Sequence, residues 1–146
     1  VSVGDYDFVI RAAEANGVEK IFHKIKQKPG KPFYFGKYLQ TAVFALPGNP
    51  AAALTCFYEY IVPAIGYFTR KEYFQKLKIP LADDYKKKVG LTYFLKGKIS
   101  SGTVTVLSGQ ESYMMNSFAM ADCLIQLDEE KEQYIKGELV DVLMII

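Results

Sequence analysis

Lys24, Lys26 and Lys28 stand at alternate positions, and Lys31 follows a Pro-Gly pair. Read as a strand, that spacing puts the three alternate ammonium groups on one face, over about 10 to 14 Å. Such a row suits a multiply charged anion, a phosphate or another oxyanion, and it is equally the make-up of a solvated edge strand. Leu46-Pro47-Gly48-Asn49-Pro50 is the second feature. A Gly-containing loop running into a helix start offers free N–H groups at the positive end of the dipole, which favours an anion or a carboxylate. The same residues also make a plain, well-capped turn. Two prolines around Gly48-Asn49 stiffen the loop, as a preorganised site requires. Third, Asp5 and Asp7 follow Gly4. Two carboxylates so placed can hold Mg²⁺ through water, because hard cations prefer oxygen, or they can serve a helix start.

The remaining polar residues read as structural. Asp83-Asp84 lies in a charged stretch and is assigned to solvated surface. His23 alternates with Ile21 and Ile25 and is assigned to the apolar side of its strand. Tyr58-Glu59-Tyr60 and Met114-Met115 are assigned to packing.

These residues need elements to place them. An acidic start and Asn16-Gly17 at the end predict a helix over about 6–15. Val18 to Lys26 predicts a strand, Lys28-Pro29-Gly30-Lys31-Pro32 a turn, and Phe33 to Tyr38 and Thr41 to Leu46 two more strands. Asn49 and Pro50 open a helix, with Leu54, Phe57, Ile61 and Ile65 at helical spacing and a kink or end near Pro63 and Gly66. From Thr69 to Lys88 the chain turns polar and is read as a linker region with a boundary early in it. A hairpin around Ser101-Gly102 follows, then a short helix within 112–120 and strands over 123–127 and 139–145. The fold class is thus mixed α/β and α+β: residues 1–74 form part of an α/β domain, and 75–146 a small, mostly β, barrel-like domain.

Composition narrows the partners. With 18 basic and 16 acidic residues the net charge is +2, which excludes a strong global pull on nucleic acid or an anionic membrane. Eleven Tyr and ten Phe, without Trp, supply much of a core. Cys56 and Cys123 lie apart in apolar surroundings, and with a single His they make no zinc spacing. They read as buried thiols in a reducing cytoplasm. The apolar stretch from Ala51 to Phe68 carries Glu59, Pro63 and Gly66 and is read as a buried helix, not a membrane span. No signal-peptide pattern is visible at Val1 to Ile10.

The order of these segments resembles one family. Val1-Ser2-Val3-Gly4-Asp5-Tyr6-Asp7 resembles the S-V-G-D/E-x-D segment of the molybdopterin molybdenumtransferases, the MoeA and gephyrin E-domain type. Lys24 to Pro32 resembles their K-x-x-x-K-P-G-K-P, and Leu46 to Pro50 their L-P-G-N-P. Gly109-Gln110-Glu111-Ser112 with Ala119 to Asp122 is similar to Q-G-S…A-N, and Gly137-Glu138-Leu139-Val140 to G-E-x-V. The resemblance spans nearly the whole chain. It implies the C-terminal portion of such a protein: the second half of a molybdopterin-binding α/β domain, then the β domain. The family takes adenylylated molybdopterin (adenylyl-molybdopterin) and molybdate and, with Mg²⁺, yields molybdenum cofactor and AMP. The resemblance implies Asp7 as metal ligand and catalytic acid, and Lys24 and Lys28 as catalytic anion clamps. It implies substrate contacts from Pro47, Gly48, Asn49, Pro50, Lys96 and Ser112. Lys96 stands where the family usually has Arg, and so lacks the bidentate fork. Glu111 replaces the Gly before Ser112. The family's pterin-binding loop is expected before Val1, so this stretch alone is expected to be inactive. A homodimer is expected too, with the truncated sheet covered by a partner. A non-catalytic binding or dimerisation module of the gephyrin type is the alternative.

Overall fold

A computed structural model describes residues 1, 8–111 and 113–145. Helix α1 (Phe8–Ala15) ends as its sequence predicts. Gly17 takes a φ of +83°, its N–H bonds the Glu14 carbonyl, and the Val18 N–H bonds that of Ala13, which satisfies two carbonyls at the helix end. Strands β1 (Glu19–His23), β3 (Tyr34–Tyr38) and β4 (Thr41–Ala45) form an antiparallel sheet in the order β1-β3-β4.

The three-lysine face does not form. A register shift between Lys20 and Phe22 turns Ile21 outward, and β1 stops at His23 because Lys24 adopts a left-handed φ of +67°. Alternation therefore ends before Lys26 and Lys28. Lys26 instead pairs with Glu129 at 2.9 Å. Residues 24–33 loop back on themselves, with the Lys24 N–H on the Phe33 carbonyl and the Ile25 N–H on that of Lys31. Within this loop, β2 (Gln27–Lys28) joins a sheet belonging to the other half of the chain, running parallel to Thr92–Tyr93.

Asn49 opens α2 (Pro50–Cys56) as expected: its Oδ1 accepts the Ala52 N–H at 3.4 Å, and Pro50 needs no donor. A π-helical turn (Phe57–Ile61) and α3 (Val62–Thr69) continue the same helical run. The run does not end at Pro63; it ends at Thr69, where the Arg70 N–H bonds the Gly66 carbonyl. The wider turn bonds Val62 N–H to the Phe57 carbonyl, five residues back, and Pro63 then sits in the first turn of α3, where no N–H is required. Arg70, which caps the run, has a φ of +55°. By length and composition, Pro50–Thr69 is long and apolar enough to cross a membrane, but Ala51, Ala52, Thr55 and Cys56 are buried within this structure.

The second half holds more strand than its charges predict. Strands β5 (Lys76–Pro80) and β6 (Tyr85–Lys86) lie in the stretch read as polar linker. β5 is an edge with three exposed residues at its start, so its lysines mask the strand pattern. The rest are β7 (Thr92–Ser100), β8 (Thr103–Val106), helix α4 (Asn116–Met120), β9 (Cys123–Leu127), β10 (Gln133–Tyr134) and β11 (Leu139–Met144). β7 and β8 meet through a two-residue turn in which Ser101 and Gly102 both have positive φ, the hairpin geometry that matches strand twist. The main sheet runs β2-β7-β9-β11-β5, with β8 on β7, and a Leu81–Val104 bridge brings β8 against the end of β5. The sheet thus curls into a small barrel around Leu81, Leu95, Val104, Ile125, Leu127 and Val142. Leu124 and Leu143 face out of it and pack with Phe118 against Ala51, Leu54 and Tyr58 of the long helical run. One apolar seam therefore joins the two halves.

Candidate functional site

A cleft of about 510 Å³ opens where the halves meet. One wall is the turn after β2, from Lys28 through Pro32. The facing wall is Pro47-Gly48-Asn49 and the first turn of α2, and Leu91 and Gln110 close the third side from the barrel. Lys28 and Lys31 are exposed side chains on its rim. Among the described residues the side chains of its lining include these two lysines and no carboxylate. Those described side chains favour an anion and offer a divalent cation no carboxylate, and no step is derived through a metal. Among the described residues no group of three His, Cys, Asp or Glu could hold a metal ion.

The walls are stiff for local reasons. Pro29, Pro32, Pro47 and Pro50 limit the backbone of both loops. Gly30 has a φ of +96°, and a Cβ there would lie 2.5 Å from Gln27 Nε2 and 2.6 Å from Cys56 Sγ, so only glycine fits. A Cβ on Gly48 would meet nothing within 4 Å. The Gly48 N–H is not free for a ligand: it bonds the Val1 carbonyl at 3.3 Å. The donor set expected of this loop is smaller by that N–H.

Lys28 Nζ lies 5.3 Å from the centre of the Tyr93 ring, and Lys87 Nζ lies 5.0 Å from the same centre. Burial lowers the Lys87 pKa, and its ammonium bonds the carbonyls of Leu91 (2.9 Å), Lys88 (3.3 Å) and Glu129 (3.4 Å). Lys87 is thus spent on the barrel wall, while Lys28 faces the cleft. A separate small pocket lined by Lys28, Tyr93, Gln110 and Glu111 shares Lys28 and Gln110 with the cleft, and another hollow lies beside Asp83 and Asp84.

The structure brings together Lys28, Pro47, Gly48 and Asn49, with Pro50 immediately behind as the first residue of α2. Lys24 is exposed but does not line the cleft. Lys96 is only 4% exposed, and its ammonium is aimed at the carbonyls of Gly109 (2.7 Å), Met114 (3.3 Å) and Glu111 (3.5 Å). Burial lowers its pKa. Asp7 and Ser112 lie outside the described residues. Lys31, named in the sequence as part of the lysine row, does line the cleft, and Gln110 and Leu91 are among the lining residues that sequence reasoning left without a site role. Gln110 stood inside the quoted Gly-Gln-Glu-Ser segment, so its signal was present. Its amide pairs with the backbone of Lys96 in both directions, at 2.9 and 2.8 Å, and this docks the 107–111 loop at the cleft.

An anion-favouring cleft between a partial α/β unit and a small barrel defines a two-part ligand-binding protein. Residues 1–67 match the family model described as a probable molybdopterin binding domain, and residues 78–145 match the MoeA C-terminal region, domain IV. The molybdopterin molybdenumtransferase of Haemophilus influenzae is 34% identical over 97% of this chain and 37% of its own length. That of Synechocystis is 30% identical over 94% of this chain and 35% of its own. The crystal structure of the molybdopterin biosynthesis moeA protein from Pyrococcus horikoshii superposes with a TM-score of 0.77 at 26% identity, over 87% of this chain and 32% of that one. The chain belongs to the molybdopterin molybdenumtransferase family, and it spans about a third of the length of the curated relatives it matches.

Proposed function

We propose that this chain contributes an oxyanion-holding wall to an enzyme of molybdenum cofactor biosynthesis. That enzyme inserts molybdate into adenylyl-molybdopterin and releases AMP. The observation that carries this reading is the cleft between the two halves, where Lys28 and Lys31 stand on a rim built from Pro-Gly turns. A tetrahedral dianion needs positive charge fixed in place, and ammonium groups on a stiff loop provide it without reorganisation. Lys28 neutralises the dianion, Lys31 shares that charge, and the Pro47-Gly48-Asn49 loop shapes the opposite side. Mg²⁺, if used, falls to Asp7 and to acids outside the described residues. The cytoplasm and a homodimer complete the proposal.

A second reading, a non-catalytic binding or dimerisation module, takes its support from the end of the long helical run. There Ile65, Tyr67 and Phe68 are exposed together.

The experiment is Lys28→Ala in the protein as its gene encodes it, with molybdenum cofactor formation followed at limiting molybdate. Losing one charge-assisted contact costs roughly 1.5–3 kcal/mol, so the molybdate requirement rises roughly tenfold to a hundredfold. An unchanged molybdate dependence removes Lys28 from the site and leaves the module reading.

A further inference from the structure

Under the floor of the cleft lie three polar side chains that the oxyanion reading does not use. Gln27 and Cys56 are buried, and Tyr60 is partly buried. The Tyr60 hydroxyl donates to Gln27 Oε1. Gln27 Nε2 donates to the Pro29 carbonyl at 2.9 Å and approaches Cys56 Sγ at 3.5 Å. The Cys56 thiol donates to the Gly30 carbonyl at 3.8 Å. Burial raises the thiol's pKa to about 12, so it remains a protonated donor at neutral pH. Two successive carbonyls of the lysine-bearing turn are therefore each held from below. The three side chains come from β2, the end of α2 and the π-helical turn. The missing Cβ of Gly30 lets the turn's backbone sit directly on Gln27 and Cys56.

The turn closes without this network, because the Phe33 N–H bonds the Gly30 carbonyl at 3.2 Å. Aliphatic side chains at positions 27 and 56 would also be easier to bury than an amide and a thiol. A buried polar network adds little net stability but fixes one geometry. The cleft needs that fixity, because Lys28 and Lys31 flank the two held carbonyls.

We propose that Gln27, Tyr60 and Cys56 form a positioning clamp that fixes the Pro29 and Gly30 carbonyls and so holds Lys28 and Lys31 together on the cleft rim, where one tetrahedral oxyanion meets both. This inference rests on the oxyanion reading of the cleft. A loosened turn presents the two ammonium groups together for only a fraction of the time, and the apparent affinity falls by that fraction. The clamp residues act through the lysines and are positioning residues, not catalytic ones.

The test uses the protein as its gene encodes it, with molybdate alone as the probe. Three quantities are read for each variant: the molybdate Kd, the amide hydrogen exchange of residues 28–33 by mass spectrometry, and the melting temperature. Tyr60→Phe deletes one hydroxyl and keeps the ring, which stacks on Phe33 at 4.9 Å. It is expected to raise Kd by about threefold to tenfold and to speed exchange in the turn, with little change in melting temperature. Gln27→Leu is expected to do more, and the Tyr60→Phe/Gln27→Leu pair no more than Gln27→Leu alone, because the two act in one network. Cys56→Ser keeps a donor and is expected to bind more tightly than Cys56→Ala.

Parental Kd and parental exchange in both Tyr60→Phe and Gln27→Leu overturn the clamp. So does a loss of affinity that only follows a loss of melting temperature, with Cys56→Ser no better than Cys56→Ala. Lys28→Ala separates the two claims. If it weakens molybdate binding while the clamp variants do not, the oxyanion reading stands and the clamp falls. If it binds as the parent does, the oxyanion reading falls. The clamp's role toward an oxyanion then falls with it, and only its fixing of the Pro29 and Gly30 carbonyls is judged on exchange: faster exchange in Tyr60→Phe upholds that fixing, and parental exchange overturns it.

Discussion

Lys28 and Lys96 carry the same functional group and meet opposite surroundings. Lys28 is exposed on the cleft rim, whereas Lys96 is buried in β7 with three carbonyls around its ammonium and the Phe118 ring 5.6 Å away. An ammonium has three protons, and here each has an acceptor, so none is left for a ligand. Lys96 fastens Gly109, Glu111 and Met114 to the barrel. Replacing it by Met keeps much of the stem but removes the charged donor, leaving the Gly109 and Met114 carbonyls to share the Ser117 hydroxyl and the Glu111 carbonyl with the Met114 N–H alone. A hydrogen bond to a charged group contributes about 1.5–3 kcal/mol, so Lys96→Met is expected to lower the urea midpoint by a loss of that size. A midpoint equal to the parent's would show that the cage contributes nothing.

Among the elements, the junction of β7 and β9 depends on one carboxylate. Asp122 Oδ2 accepts the Ile99 N–H at 2.9 Å, and Oδ1 accepts Lys98 Nζ at 2.9 Å. The Ile99 bond first, then Lys98, holds the carboxyl below its ordinary value of 3.8. Folding therefore favours the ionised form. The resulting stability is fully present above that ordinary value and drains away as pH falls through the lowered one. Asp122→Asn is expected to be less stable than the parent at neutral pH and to lose less on acidification below about pH 4. Denaturant titrations at several acidic pH values measure the slope, and two parallel curves would remove Asp122 from this role. The elements best announced by sequence are those with local chemistry at their ends. Asn49-Pro50 started α2, Gly17 closed α1, and Ser101-Gly102 turned β7 into β8. β5 was missed because its exposed lysines hide the alternation, and β1 came out shorter because a left-handed Lys24 leaves no trace in composition.

At the scale of the whole molecule, the seam between the helical run and the barrel keeps the cleft together. Leu124 is fully buried on the outer face of β9, in the same cluster as Ala51 and Phe118. Leu124→Ala removes a buried isobutyl group and opens a cavity, which costs roughly 2–5 kcal/mol. Because the seam is shared, calorimetry is expected to show one endotherm moved to lower temperature. Two separated transitions would mean that the halves unfold independently and that the cleft opens before either half melts.

The sequence by itself determined the order of the segments, the Pro-Gly turns, the helix caps and the family. Each of these depends on residues a few positions apart, whose φ angles and N–H groups answer to their own neighbours. Tertiary structure alone decided which lysine faces the cleft. It moved Lys24 and Lys96 away from the cleft, set Gln110 into its wall and carried β2 into the other half's sheet. Those outcomes turn on burial and pairing between residues some tens of positions apart. A lysine has the same charge in every setting, and only the packed fold determines whether its protons meet carbonyls or an open cleft.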